Sequence, residues 1–134
     1  MSYQAIQSLL VERLKTVDGL PTLQEENTKN VARTGVPFSR ATLIQSRATP
    51  ATIGASGRDE RSGLLQVDLF VPQDTGVSAV NALADAVVAH FPRGLSLTQD
   101  DTSVQVVLAW RETGTRHKEP FYGVPVIVQW RTIV

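Results

Sequence analysis

The stretch from Arg61 to Gly94, RSGLLQVDLFVPQDTGVSAVNALADAVVAHFPRG, constrains the fold most, because it reads as a strand, a tight corner and a helix. Leu65, Val67, Leu69 and Val71 alternate with Gln66, Asp68 and Phe70, the period of two expected where one sheet face is buried and the other is wetter. Pro72 lacks a backbone donor and ends the ladder, after which Asp74 or Thr75 is expected to cap a helix by accepting from its free amides. Val77, Val80, Leu83, Ala84, Val87, Val88 and Phe91 recur at three- and four-residue steps, so this helix carries an apolar stripe that must meet a sheet. Pro92 cannot continue the helix, and Gly94 tolerates a left-handed turn.

The same two periodicities organise the rest of the chain. Ile6, Leu9, Leu10, Leu14 and Val17 predict a first helix over Ser2 to Val17, stopped by Asp18, Gly19 and Pro21. Thr22 to Gly35 reads as loop, with at most a short strand near Thr22 to Gln24. Pro37 to Arg47 alternates Phe38, Arg40, Thr42 and Ile44 against Ser39, Ala41, Leu43 and Gln45 and predicts a strand. Two further strands follow the second helix. One has Val104, Val106, Leu108 and Trp110 on a single face; the other has Val124, Val126, Val128 and Trp130 on a single face, with Pro125 suited to an edge or a strand start. The expected architecture is α+β in the order α-β-β-α-β-β, a mainly antiparallel sheet of about four strands with both helices on one face.

With 134 residues, this is one domain spanning 1–134, with a single core. A hydrophobic content of 42% argues against disorder along the whole chain. The formal net charge of zero argues against a broadly basic nucleic-acid binder. Charge is nevertheless uneven: Arg33, Arg40, Arg47, Arg58 and Arg61 against Asp59 and Glu60 give a local net of +3 between Asn30 and Arg61. Within that region ATPATIGASGRDERSG suits a flexible loop at about 48–61, longer than an ordinary hairpin connection. With no cysteine, stability rests on packing and thiolate metal sites are absent. No apolar run approaches the ~18 residues of a membrane helix, and the N-terminus lacks the pattern of a signal peptide, so no membrane partner is expected.

A search for chemistry returns little. His90 and His117 lack a zinc-binding partner at helical spacing; His90 reads as a helix-end group and His117 as solvated. Asp100 and Asp101 read as turn formers, and Glu25 with Glu26, or Glu112 with Glu119, lack the signature of a catalytic carboxylate pair. GASG at Gly54 to Gly57 has neither a Walker lysine nor a following helix, and no G-x-S-x-G elbow is present. Trp110, Trp130, Phe121 and Tyr122 lack the basic interleaving of a base-stacking platform and suit a core or a subunit interface. No catalytic residue, cofactor site or metal site is expected, and the chemistry reads as surface recognition.

Several segments in order, EEN at Glu25 to Asn27, VPF at Val36 to Phe38, TIGASG at Thr52 to Gly57, GLLQVDLFVP at Gly63 to Pro72, NALADAV from Asn81, HFPRG at His90 to Gly94 and VPVIVQW at Val124 to Trp130, resemble phage and prophage tail-terminator-like proteins. Thr22-Leu23-Gln24 ahead of EEN departs from the apolar, often aromatic entry of that family. The resemblance implies a structural, non-enzymatic protein of the virion tail, present in the bacterial cytoplasm during assembly. It implies a homo-oligomeric ring, a hexamer, that caps the tail tube and offers a docking surface to head-tail connector proteins, with nucleic acid only as DNA passing through. Ring closure requires two complementary, non-identical surfaces per subunit. Arg47, Arg58 and Arg61 are the candidate interface residues, meeting acidic groups on a neighbour or a tube subunit; the alternative is that they face the DNA. A small non-enzymatic domain holding a ligand or peptide between helices and sheet is the competing expectation, and it requires an apolar pocket there.

Overall fold

The computed structural model describes residues 3–30, 32, 35–116 and 121–133. Helix α1 (Tyr3–Lys15) and strands β1 (Thr22–Gln24), β2 (Phe38–Gln45), β3 (Thr49–Pro50) and β4 (Asp59–Pro72) precede helix α2 (Ser78–His90), and β5 (Ser96–Gln99), β6 (Thr102–Arg111), β7 (Thr115–Arg116) and β8 (Phe121–Ile133) follow it. All eight strands join one sheet in the order β1-β2-β4-β8-β6-β5, with β3 added to β4 and β7 to β8. The β1–β2 pair is parallel and the others are antiparallel, so the sheet is mixed.

The four long strands and two helices are the elements the sequence predicts, in the predicted order; the sheet has more strands than the expected four. β1 is the short strand allowed near Thr22 to Gln24, and the unforeseen additions are β3, β5 and β7, of two, four and two residues, too short to show an alternation.

Register explains how the core is built. Leu65 faces Val128, Val67 faces Val126 and Leu69 faces Val124, so the apolar sets of β4 and β8 lie on one side of the sheet. Ile6, Leu10 and Leu14 of α1 and Val80, Ala84 and Val87 of α2, all fully buried, close over that side together with Val104, Val106 and Trp130. Burial on this scale is the principal stabilising term, about 1.5–3 kcal/mol for each large apolar side chain. Ser39 and Ala41 of β2 share this side, while Phe38 and Arg40 point to the other.

The opposite side has its own order. Phe38 stacks on Phe70 with ring centroids 4.5 Å apart, and Phe121 meets Phe38 edge-on at 5.0 Å. Beside them the buried Asp68 accepts from Arg40 Nη2 at 3.2 Å and from Gln66 Nε2 at 2.9 Å, and the Arg40 guanidinium lies 5.1 Å from the centre of the Phe70 ring. This face, expected to be the wetter one, is buried at Phe38, Asp68 and Phe70, where charge, hydrogen bonds and aromatic surface pack together.

Three local expectations are corrected. Between Val106 and Leu108 the β6–β8 register shifts by a bulge, so the strand changes phase. Val104 and Val106 face the helices, but Leu108 and Trp110 face away with their partners Gln129 and Ile127, and Leu108 is 46% exposed. Pro125 is not at an edge, because β8 lies between β4 and β6. Its carbonyl accepts from Glu112 N at 2.9 Å, so its donorless nitrogen faces Glu112 just past the end of β6, and the Glu112 carbonyl accepts from Arg111 Nη1 at 3.1 Å instead. At the head of α2, neither Asp74 nor Thr75 is the cap: Val77 holds the N-cap position without a side-chain bond. Thr75 Oγ1 instead donates to Pro72 O at 2.8 Å, and Asp74 and Gly76 take left-handed conformations with φ of 65° and 80°. The corner is stabilised as a turn rather than as a helix cap.

Candidate assembly surface

The segment expected to be a flexible loop holds a hydrogen-bonded hairpin. Arg58 O accepts from Ala51 N at 2.7 Å and Thr52 N at 3.1 Å, Arg58 N donates to Thr52 Oγ1 at 2.6 Å, and Gly57 N donates to Gly54 O at 3.0 Å. At its base Thr49 and Pro50 pair with Glu60 and Asp59, and Ser46 bonds Ser62. Small residues are needed at the tip, since a Cβ on Gly57 would stand 2.7 Å from Thr52 O. Ile53 lies there completely exposed.

Arg47 and Arg58 lie on this hairpin, exposed, and form no ion pair among the described residues. Arg61 is placed differently. It lies within β4 on the helix side, with its guanidinium carbon 4.6 Å from the centre of the Tyr3 ring, and it ties the start of α1 to the sheet. The three candidate arginines therefore divide into an exposed pair and a packed one. Spacing alone gave no signal of this division, which follows from the parity of position 61 with Leu65 and Val67 once β4 extends back to Asp59.

His90 and the described glutamates Glu25, Glu26 and Glu112 have partners within the fold. His90 Nε2 shares a short hydrogen bond with Thr16 Oγ1, and Arg13 Nε donates to His90 O at 3.0 Å, so the ends of α1 and α2 are joined. Burial holds the His90 imidazole below its ordinary pKa, with the nearby Arg13 charge acting in the same direction. His117 and Glu119 fall outside the described residues. Glu25 pairs with Lys15 at 3.4 Å, Glu26 Oε1 accepts from Leu43 N, and Glu112 accepts from Trp110 Nε1 at 2.7 Å, which assigns each a separate partner. No grouping of three or more His, Cys, Asp or Glu suited to a metal occurs among the described residues, and no described helix is long and apolar enough to cross a membrane.

The space between helices and sheet is filled by Ile6, Leu10, Val80, Val87 and the strands beneath them. An open cleft of about 330 Å³ lies elsewhere, at the corner of Pro72, Gln73, Asp74, Gly76 and Val77 with Tyr122. Among the described residues, the space between the layers that the ligand-binding expectation requires to be open is occupied by these core side chains.

The exposed features of this α+β domain are a charged hairpin, a sheet edge at β5 and an open cleft beside Tyr122. A family model described as phage tail terminator protein matches residues 5–130, and the chain belongs to that family. Nine chains of solved structures match as well; one of them superposes with a TM-score of 0.76 at 20% identity, covering 98% of this chain and 95% of its own, which establishes a shared fold. No curated protein sequence matches the chain.

Proposed function

We propose that this protein is a structural tail terminator that assembles as a ring, a hexamer, on the head-proximal end of a phage tail tube, stops its growth and offers the surface on which head-tail connector proteins dock. The observation that carries this reading is the family match across residues 5–130. The protein acts by covering surfaces and performs no chemical step. Its site of action is the virion tail, reached from the bacterial cytoplasm during assembly, and DNA is met only as it passes through the ring.

A ring needs two different surfaces per subunit related by rotation. The exposed hairpin with Arg47 and Arg58 supplies one, and Arg61 positions its base against α1. Size-exclusion chromatography with light scattering, on the protein alone and with purified tail tubes, together with electron microscopy of tube ends, tests the reading. A ring in solution or at tube ends is expected. A chain that remains monomeric in both settings and leaves tube ends bare contradicts it.

A further inference from the structure

The sheet has two flanks at the end where the hairpin projects. Glu60 pairs with Ile133, and β6 runs beside β8 with Gln105 opposite Arg131, so the β5–β6 turn at Asp100 and Asp101 lies at the same end as the hairpin. The hairpin is on the β2 side of β4, and the turn is on the far side of β8. One end of the molecule thus carries two different projections on opposite flanks, the placement that a head-to-tail ring contact requires.

Their side chains are complementary. The hairpin presents Arg47, Arg58 and Asp59, and the opposite corner presents Asp100, Asp101 and Arg131. All six are exposed, and none forms an ion pair among the described residues. The corner also has a cleft of about 270 Å³ lined by Ser96, Ser103, Gln105, Arg131, Thr132 and Ile133, with Ile133 49% exposed. Beside it β5 is the sheet edge, and Ser96-Leu97-Thr98-Gln99 carries none of the lysine or proline that guards such an edge. The fully exposed Ile53 at the hairpin tip is an apolar anchor of the kind that such a cleft accepts.

We infer that the occupant of the β5–β6 corner is the hairpin of a second copy of this chain. Arg47 and Arg58 meet Asp100 and Asp101 of the next subunit, Asp59 meets its Arg131, and Ile53 enters its cleft. This inference rests on the ring reading above and specifies which surfaces close the ring. Hydrogen bonds within the hairpin fix its shape in the free subunit, so little ordering is needed on docking.

Charge reversal tests it. R47E/R58E and D100R/D101R are each expected to weaken assembly at least about tenfold, because like charges then face each other; I53S is expected to weaken it with the charges intact. Far-ultraviolet circular dichroism and thermal melting confirm that each variant is folded. Mixing the two reversed proteins is expected to restore rings, because each hairpin then meets an opposite charge when the two alternate around the circle. Assembly that is unaffected by both reversals, or that is lost in each but not regained on mixing the folded proteins, overturns the inference while leaving the ring itself in place. Reversals of the arginines that spare assembly but abolish salt-dependent retention of DNA assign Arg47 and Arg58 to the DNA and also overturn it. A wild-type chain that forms no ring with or without tubes overturns the parent reading and this contact together.

Discussion

Gly63 and Trp130 oppose each other across the β4–β8 ladder, and the indole occupies the space that a side chain at position 63 would need. A Cβ on Gly63 would stand 2.9 Å from Trp130 Cζ2 and 2.1 Å from the backbone oxygen of Ile44. One of those neighbours is main chain, so neither rotamer change nor a small tilt relieves the clash. Gly63→Ala is expected to destabilise the domain by about 1–3 kcal/mol, seen as a lower urea midpoint at unchanged slope. A midpoint equal to that of the parent protein would contradict the close β2–β4 approach at this point.

The bulge after Val106 makes a second, differential prediction. Val106 is 1% exposed and Leu108 is 46% exposed, although an unbroken strand would place them on one face. Val106→Lys buries an unpaired charge and is expected to cost more than about 4 kcal/mol, whereas Leu108→Lys is expected to stay within about 0.5 kcal/mol of the parent. Thermal melts of the two variants compare them directly. Equal losses would mean that β6 runs without a change of phase.

Arg40 and Asp68 offer a test of the opposite sheet face. Asp68 is buried while the Arg40 side chain is 48% exposed. Arg40→Ala leaves a buried carboxylate with Gln66 as its remaining side-chain partner and is expected to cost about 2–3 kcal/mol, at or below the low end for a broken buried pair because Arg40 is half in water. The double replacement R40M/D68L is expected to be milder than R40A alone, since no charge is then stranded. Chemical denaturation of the two variants compares them; a double variant less stable than R40A would contradict this account.

His90 predicts a pH dependence. Its folded pKa lies below the ordinary value of 6.5, chiefly through burial. The unfolded chain therefore binds the proton more readily, so the contribution of His90 is fully present above about pH 6.5 and is lost as pH falls through the lower folded value. Denaturant midpoints measured from pH 7.5 down to pH 5 should decline more steeply in the parent than in His90→Gln. Parallel declines would remove His90 from the linkage between α1 and α2.

Much of this architecture can be read from periodicity, and what cannot be read has a physical cause. Leu65, Val67, Leu69 and Val71, then Val124, Val126, Val128 and Trp130, and Val80, Ala84, Val87 and Phe91 of the α2 stripe are buried as their spacing predicts, because each run is long enough to repeat its period, whereas Val77, expected on that stripe, is 48% exposed at the N-cap. The bulge at Val107 is invisible in sequence, since Val, Val and Leu in succession suit either phase. Pro125 looks like an edge residue until the break between β6 and β7 is known. At the candidate surface, composition marks a basic segment, but only the backward extension of β4 reveals that Arg61 packs on Tyr3 while Arg47 and Arg58 remain exposed.

The central claim is that the chain ends tail-tube growth, and tube length tests it most directly. Electron microscopy of particles made in a host whose phage lacks this gene, with and without the wild-type chain supplied in trans, gives the length distribution. The account predicts overlong, headless tubes without the protein and a narrow distribution of head-joined tails when it is restored. Tails of normal length that join heads in its absence would contradict it.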